Sequence, residues 1–237
     1  MRGGAPSRAT LARLKKRCSR ACCRPLSSLF MDIETIRSKL AAYRPARVER
    51  VDRNQASVAV VLREGPHSAE LLLIERAARE GDPWSGDMAF PGGRLERGDD
   101  SSQSTAARET FEEVGVDLSR ARYLGRLDDR VGNPRISPGL LIATHAFHLE
   151  HAQDFMIDEK EVRTAFWFPI TGLLDEARHV EHVIPQMPDL RFPGIVVGLP
   201  DRHIVWGLTF RILDHLLEVL GRPFVQEWGD ARLFRDR

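Results

Sequence analysis

The chain has 237 residues and a mass of 26.8 kDa, with 42% hydrophobic and 29% charged side chains, a balance that excludes collagen-like, low-complexity and wholly disordered proteins. No stretch approaches the roughly 18 consecutive apolar residues that a membrane-spanning helix needs, so no membrane partner is expected. Its net charge of +1 is uneven: residues 1–30 hold eight Lys or Arg and no acid, leaving 27 basic against 34 acidic side chains from Met31 to Arg237, which argues against nucleic-acid backbone binding but suits a small anionic substrate handled through a metal.

The basic extension 1–30 has the composition of a transit-like segment without the apolar stretch of a secretory signal, or is an upstream start called ahead of the true one at Met31. The second reading is favoured and places the protein in the cytoplasm; the first would give it a mitochondrial or other organellar address. All three cysteines (Cys18, Cys22, Cys23) fall in this extension, so no disulfide framework holds the body, and their spacing is weak evidence for metal. No linker divides residues 31–237, which read as one domain.

Asp32 is a plausible N-cap for a helix over Ile33 to Tyr43. From Val51 the pattern turns to strands, with Ser57 to Arg63 and Glu70 to Arg76 joined by a Gly65-Pro66 turn as an antiparallel pair. A Gly, Asp and Pro-rich loop (Glu80 to Gly86) leads to Phe90-Pro91-Gly92-Gly93, and a helix follows from about Ser101 to Val114. Further strands are expected at Arg122 to Leu127, Leu140 to Leu149 and Ala165 to Phe168, with a short helix near Thr171 to Glu176. Trp206, Phe210, Leu213, Leu217 and Leu220 recur at helical steps before Gly221. The mixed order of strands and helices reads as α/β.

In Arg108-Glu109-Thr110-Phe111-Glu112-Glu113-Val114-Gly115-Val116, three glutamates at i, i+3 and i+4 share one helix face. Unpaired, they repel by about 0.2–0.5 kcal/mol per exposed pair, whereas a hard divalent cation makes them a ligand set. A solvated acidic face is the default for such a cluster, but Gly92-Gly93 just upstream permits close backbone approach, and Gly115 is placed to cap the helix.

This region resembles the Nudix hydrolases, whose signature G-x5-E-x7-R-E-U-x-E-E-x-G-U (U aliphatic) is met from Arg108 to Val116 with Thr110 at the first U. Upstream, Asp100 stands in place of Glu with seven residues between it and Arg108, and the loop back to Gly93 is one residue longer. The resemblance implies a Nudix α/β/α sandwich with a mixed β-sheet between helices. It implies Mg²⁺ or Mn²⁺ held by Glu109, Glu112 and Glu113, with the Gly93 carbonyl a further candidate. It implies a structural role for Arg108, with Asp100 as its ion-pair partner, and for Gly115. Metal-assisted hydrolysis of a diphosphate linkage is the expected chemistry. Either Glu109 or Glu161 is the general base; the latter opens an E-V-x4-W-x-P segment (Glu161, Val162, Trp167, Pro169) that family members often carry.

Outside the signature, Leu72-Leu73-Ile74-Glu75-Arg76-Ala77, Phe90-Pro91-Gly92-Gly93 and Ile204 to Thr209 resemble the coenzyme A pyrophosphatase branch. The resemblance implies cleavage of coenzyme A or acyl-CoA to 3′,5′-ADP and 4′-phosphopantetheine. Asp82 stands where that branch usually has a second arginine, and Asp87 departs from its loop, so a dinucleotide, a nucleotide sugar or another nucleoside diphosphate derivative is the alternative. A non-catalytic nucleotide-binding module is the third reading, disfavoured by the intact glutamate triad. Arg76 and Arg94 are the candidate substrate contacts. Arg79 and Trp84 are weaker ones, and Phe90 is expected in the core. His145, His148 and His151, and separately His179 and His182, lack the spacing of a zinc site. A homodimer is compatible with the chain.

Overall fold

The computed structural model describes residues 31–48, 54–82, 84–132, 139–184 and 187–224. The extension 1–30 with its three cysteines, the strand onset expected at Val51, and Pro83 of the loop lie outside the described residues.

Alternating apolar residues build the sheet. Strand β1 (Gln55–Glu64) and β2 (Ala69–Arg76) form the expected antiparallel pair, each longer than its sequence pattern, with Leu62 opposite Leu71. Two short strands follow, β3 (Met88–Ala89) on β2 and β4 (Gly92–Arg94) on β1. Then come β5 (Arg122–Arg126), β6 (Arg130–Val131), β7 (Leu141–His148) and β8 (Val162–Pro169). The sheet order is β3-β2-β1-β7-β5, with β8 also on β2 and β6 on β7. Among the described residues only β1 and β7 run parallel, from Gln55 opposite Leu141 to Leu62 opposite His148, so the sheet is mixed.

Because successive strand residues face opposite sides, the central strands feed two cores. Val60, Leu62, Leu71 and Leu73 pack with Ile36 and Leu40 of α1 (Ile33–Ala42) and with Leu213 and Leu217 of α3 (Gly207–Val219). Ala59, Val61, Leu72 and Ile74 pack with Ala106 and Val114 of α2 (Ser102–Val114). Each fully buried Val, Leu or Ile contributes roughly 1.5–3 kcal/mol, and the result is the expected α/β/α sandwich. None of the helices among the described residues is long and apolar enough to cross a membrane.

The caps match the sequence. Asp32 accepts from Thr35 N–H at 2.7 Å and starts α1. Ser101 and Ser104 form a reciprocal capping box at α2, and Gly115 ends that helix in the left-handed region at φ 72°. The segment expected as a short helix near Thr171 is two 3₁₀ turns, Ile170–Leu174 and Glu176–Arg178, because Asp175 interrupts it and caps the second turn through Ala177 N–H. A second antiparallel sheet, β9 (His179–Ile184), β10 (Met187–Val196) and β11 (Ile204–Val205), is absent from the sequence reading.

Candidate active site

Helix α2 turns Glu113 inward, where its side chain is almost fully buried and Oε2 accepts the Gly92 N–H at 2.9 Å. Burial, reinforced by the neighbouring Glu109 carboxylate, pushes its pKa up to about 8, with the Gly92 N–H pulling the other way. Glu109 is raised by burial too, against the pull of Arg108. A Cβ on Gly93 would lie 2.3 Å from the Glu109 carboxyl carbon, and one on Gly92, at φ 156°, would lie 2.3 Å from the Ser57 carbonyl oxygen. The Gly-Gly pair is therefore what lets β4 lie between the acidic helix and β1.

Glu161 stands just before β8, where its carbonyl accepts the Ala77 N–H at 2.8 Å. Its carboxylate faces Arg79 at 3.5 Å and is near enough to raise both Glu109 and Glu113. Glu112 sits further out, half exposed, with Arg108 Nη1 at 2.7 Å. The structure thus brings Glu109, Glu113, Glu161 and Gly93 together and ties Glu112 to them through Arg108.

Among the described residues no three His, Cys, Asp or Glu side chains already converge as a metal-ligand group. Arg108 holds Glu109 and Glu112, at 3.0 and 2.7 Å, and Gly92 holds Glu113. The donor chemistry nevertheless suits a hard divalent ion. Every candidate atom is an oxygen, and the buried Glu113 carboxyl is kept from ionising by its surroundings, a situation a cation reverses.

The acid expected to pair with Arg108 is corrected. Asp99, not Asp100, accepts from Arg108 Nε and Nη2, both at 3.0 Å, and also from Glu96 N–H and Thr105 Oγ1. Asp100 is exposed. These bonds hold the Asp99 carboxyl down at about 2, the Arg108 hydrogen bonds contributing most. Asp99 follows Gly93 at the family's own x5 spacing, so the additional residue lies after the acid rather than before it. Thr110, the other departure, is fully buried and donates its Oγ1 hydrogen to Ala106 O at 2.7 Å, so its hydroxyl is satisfied within the helix.

Of the candidate substrate contacts, Arg76 stands at the end of β2, but Nη2 donates to Asp82 at 2.8 Å. Asp87 accepts from the Trp206 indole N–H at 3.0 Å, and burial raises its carboxyl to about 6 despite that bond. Arg94 is exposed and donates to Asn54 Oδ1 at 3.2 Å, away from the glutamates in its hydrogen bonding. Phe90 lies in the core as expected, while Trp84 is over one-third exposed.

Two polar clusters escaped the sequence reading. Glu75, 2% exposed, accepts from Arg202 Nε and Nη2, both at 2.8 Å. His203 takes the Leu199 N–H on Nδ1, which leaves Nε2 to donate to Glu75 at 3.3 Å. Burial would raise Glu75, but Arg202 outweighs it and the net shift is downward. In the second cluster Ser102 Oγ and Tyr123 Oη bracket the ring nitrogens of buried His145 at 2.9 and 3.0 Å. The one available signal for the first was a charged residue in the alternating buried register of Leu71 and Leu73.

The family model described as the NUDIX domain matches residues 53–190, more than half of the chain. The chain belongs to the Nudix hydrolase family, whose chemistry is that of pyrophosphatases working with divalent metal ions. It is 30% identical to the Nudix hydrolase NudL of Citrobacter koseri over 203 residues, 83% of this chain and 98% of that protein. With the Schizosaccharomyces pombe protein C14C4.10c it shares 36% identity over 166 residues, 62% of this chain, and spans half of that relative's length. A solved MutT/nudix family protein from Enterococcus faecalis superposes with a TM-score of 0.45 at 19% identity, covering 92% of this chain and 81% of that one.

Proposed function

We propose that the protein hydrolyses the diphosphate linkage of a nucleoside diphosphate derivative, with coenzyme A or acyl-CoA as substrate and 3′,5′-ADP and (acyl-)4′-phosphopantetheine as products. The observation that carries the hydrolytic reading is the buried Glu113 carboxyl held by Gly92 N–H, with Glu109 and Glu161 around it. Glu109, Glu112, Glu113 and the Gly93 carbonyl would hold Mg²⁺ or Mn²⁺. The ion neutralises diphosphate charge and lowers the pKa of water when bound. Arg108 orients Glu109 and Glu112 from one side while Asp99 fixes its guanidinium. The base is one of two carboxylates: Glu109, sheltered and paired with Arg108, or Glu161, half open to solvent beside Arg79. Arg76, whose charge favours ionisation of the buried Glu113 carboxyl, would meet the substrate's phosphate.

The coenzyme A assignment rests on the Leu72 to Ala77, Phe90 to Gly93 and Ile204 to Thr209 segments. A second reading, a dinucleotide or nucleotide sugar, is favoured by one observation: Asp82 already occupies the Arg76 guanidinium, leaving less positive charge for the 3′-phosphate of coenzyme A.

The test is hydrolysis of coenzyme A with Mg²⁺ or Mn²⁺, followed by liquid chromatography, beside a Glu113→Gln control and a panel of dinucleotides and nucleotide sugars. Appearance of 3′,5′-ADP with the parent and its loss by at least about 100-fold in the control supports the assignment. Cleavage of the panel without coenzyme A moves the substrate to the second reading. No metal-dependent cleavage of any diphosphate overturns both.

A further inference from the structure

Arg76 shares the α2-facing register of β2 with Leu72 and Ile74, two residues of the core beneath that helix. It therefore projects toward the glutamate face, and its charge reaches both Glu113 and Asp87. Its Nη2 donates to Asp82 at 2.8 Å, and its Nε is buried with no hydrogen-bond partner. A guanidinium with one edge taken by a carboxylate and a buried donor left over is half-used as an anion site.

The loop after β2 is folded so as to deliver that carboxylate. Asp82 N–H donates to Arg79 O at 3.1 Å, and Ser85 N–H to Asp82 O at 3.2 Å. Ser85 Oγ closes the turn on both Arg79 N–H and Arg79 O, at 2.9 and 2.8 Å. Trp84 N–H donates to Asp82 Oδ1 at 3.0 Å, which fixes the carboxylate with Oδ2 toward Arg76. The Asp82 side chain is only 12% exposed, and that of Arg76 30%. The pair is sheltered enough to compete with an incoming anion, but not so enclosed that exchange is barred.

We propose that Asp82 is a specificity-determining residue that competes, as an internal anion, with the substrate's phosphate for Arg76. The inference rests on the reading that Arg76 meets that phosphate. Each substrate must displace the carboxylate or settle on Nε beside it, so Asp82 lowers affinity for anions at this position and does so without touching the reacting phosphorus. Its effect belongs in KM and not in kcat.

The test uses the full chain as parent, Asp82→Asn, Arg76→Met and the double variant. Asparagine keeps an oxygen to accept the Trp84 N–H but replaces the oxygen that accepts from Arg76 with an NH₂ donor, so it removes both the charge and that hydrogen bond. Asp82→Ser, which removes the charge differently, and a thermal melt guard against a disturbed loop. Two readouts are taken: ADP affinity without metal by isothermal titration, and KM and kcat for the diphosphate the parent cleaves. Asp82→Asn and Asp82→Ser are expected to tighten ADP and lower KM by roughly fivefold, with kcat within about twofold of the parent. Adding Asp82→Asn to Arg76→Met is expected to change neither readout. Unchanged or weaker ADP binding in Asp82→Asn, a gain of equal size in the Arg76→Met background, or no ADP binding by parent and variant alike overturns the proposal. A chain that cleaves no diphosphate while Asp82→Asn tightens ADP sinks the hydrolytic reading and leaves the competition standing.

Discussion

The carboxylate of Glu113 and the backbone N–H of Gly92 are joined by a 2.9 Å hydrogen bond between the acidic helix and the glycine strand. That bond is the main favourable partner of a carboxyl otherwise surrounded by burial and by the charges of Glu109 and Glu161.

Without metal, the Glu113 carboxyl carries a proton up to about pH 8, whereas in the unfolded chain it ionises near 4.5. The folded state therefore binds more protons between those values, and stability falls as pH rises through the window, by up to roughly 1.4 kcal/mol per unit. Glu113→Gln should flatten this slope and melt higher than the parent at pH 8 in EDTA. A parent whose melting temperature does not fall between pH 5 and 8 relative to the variant would contradict it.

Asp99 and Asp100 separate cleanly in an experiment. Asp99→Asn removes the charge that fixes Arg108 and should cost about 1–3 kcal/mol in urea denaturation, with a loss of activity as Glu109 and Glu112 lose their holder. Asp100→Asn should stay within about 0.5 kcal/mol of the parent. The Asp99 contribution is present above pH 4 and is lost as pH falls toward 2, the sign for a depressed carboxyl.

His145 carries the same sign as Asp99, opposite to Glu113. Burial, with the Arg126 charge adding to it, pulls its pKa down to about 4. The unfolded chain takes up the proton first on acidification, so stability present above pH 6.5 is lost as pH falls to about 4, amounting to about 3 kcal/mol. His145→Gln should lose correspondingly less over that interval; equal pH profiles for parent and variant would show that the ring protonates freely in the fold.

Arg202→Met leaves the buried Glu75 with His203 and the more distant Arg163, 3.9 Å away and largely exposed. A loss of stability is expected by chemical denaturation, because the buried Glu75 carboxylate is left with weaker partners. The double variant Glu75→Leu, Arg202→Met should recover part of it, because no buried charge remains.

What was legible in the sequence were the features whose cause is local. The Asp32 cap, the helix start near Ser101, the Gly115 stop, the alternation of β1 and β2 and the stripe of α3 each follow from residues within one or two turns of each other. The signature glutamates were legible for the same reason, since helical spacing alone puts them on one face. The second sheet was not, because β9 and β10 carry few consecutive apolar residues and β10 includes Pro188 and Pro193. Pro193 is tolerated because it faces Glu181 of β9, while β11 pairs further along at Ile195 and Val196. The signature pointed both ways on which acid meets Arg108, since its x5 spacing from Gly93 selects Asp99 and its x7 spacing to Arg108 selects Asp100, and only the path of the loop turns one of them inward. The Asp82 and Asp87 partners were equally hidden, being contacts made across a turn in one case and across 119 positions in the other.

The additional residue falls between Asp99 and Arg108, ahead of the stretch of helix, Arg108 to Glu113, that carries the glutamates. Placed there, it alters the length of the approach and leaves the phase of the helix alone. The same residue inserted between Arg108 and Glu113 would turn everything beyond it by about 100° and carry it about 1.5 Å along the axis, swinging Glu113 away from Gly92. Length can therefore change ahead of Arg108 without turning the glutamates against one another, whereas between Arg108 and Glu113 it cannot.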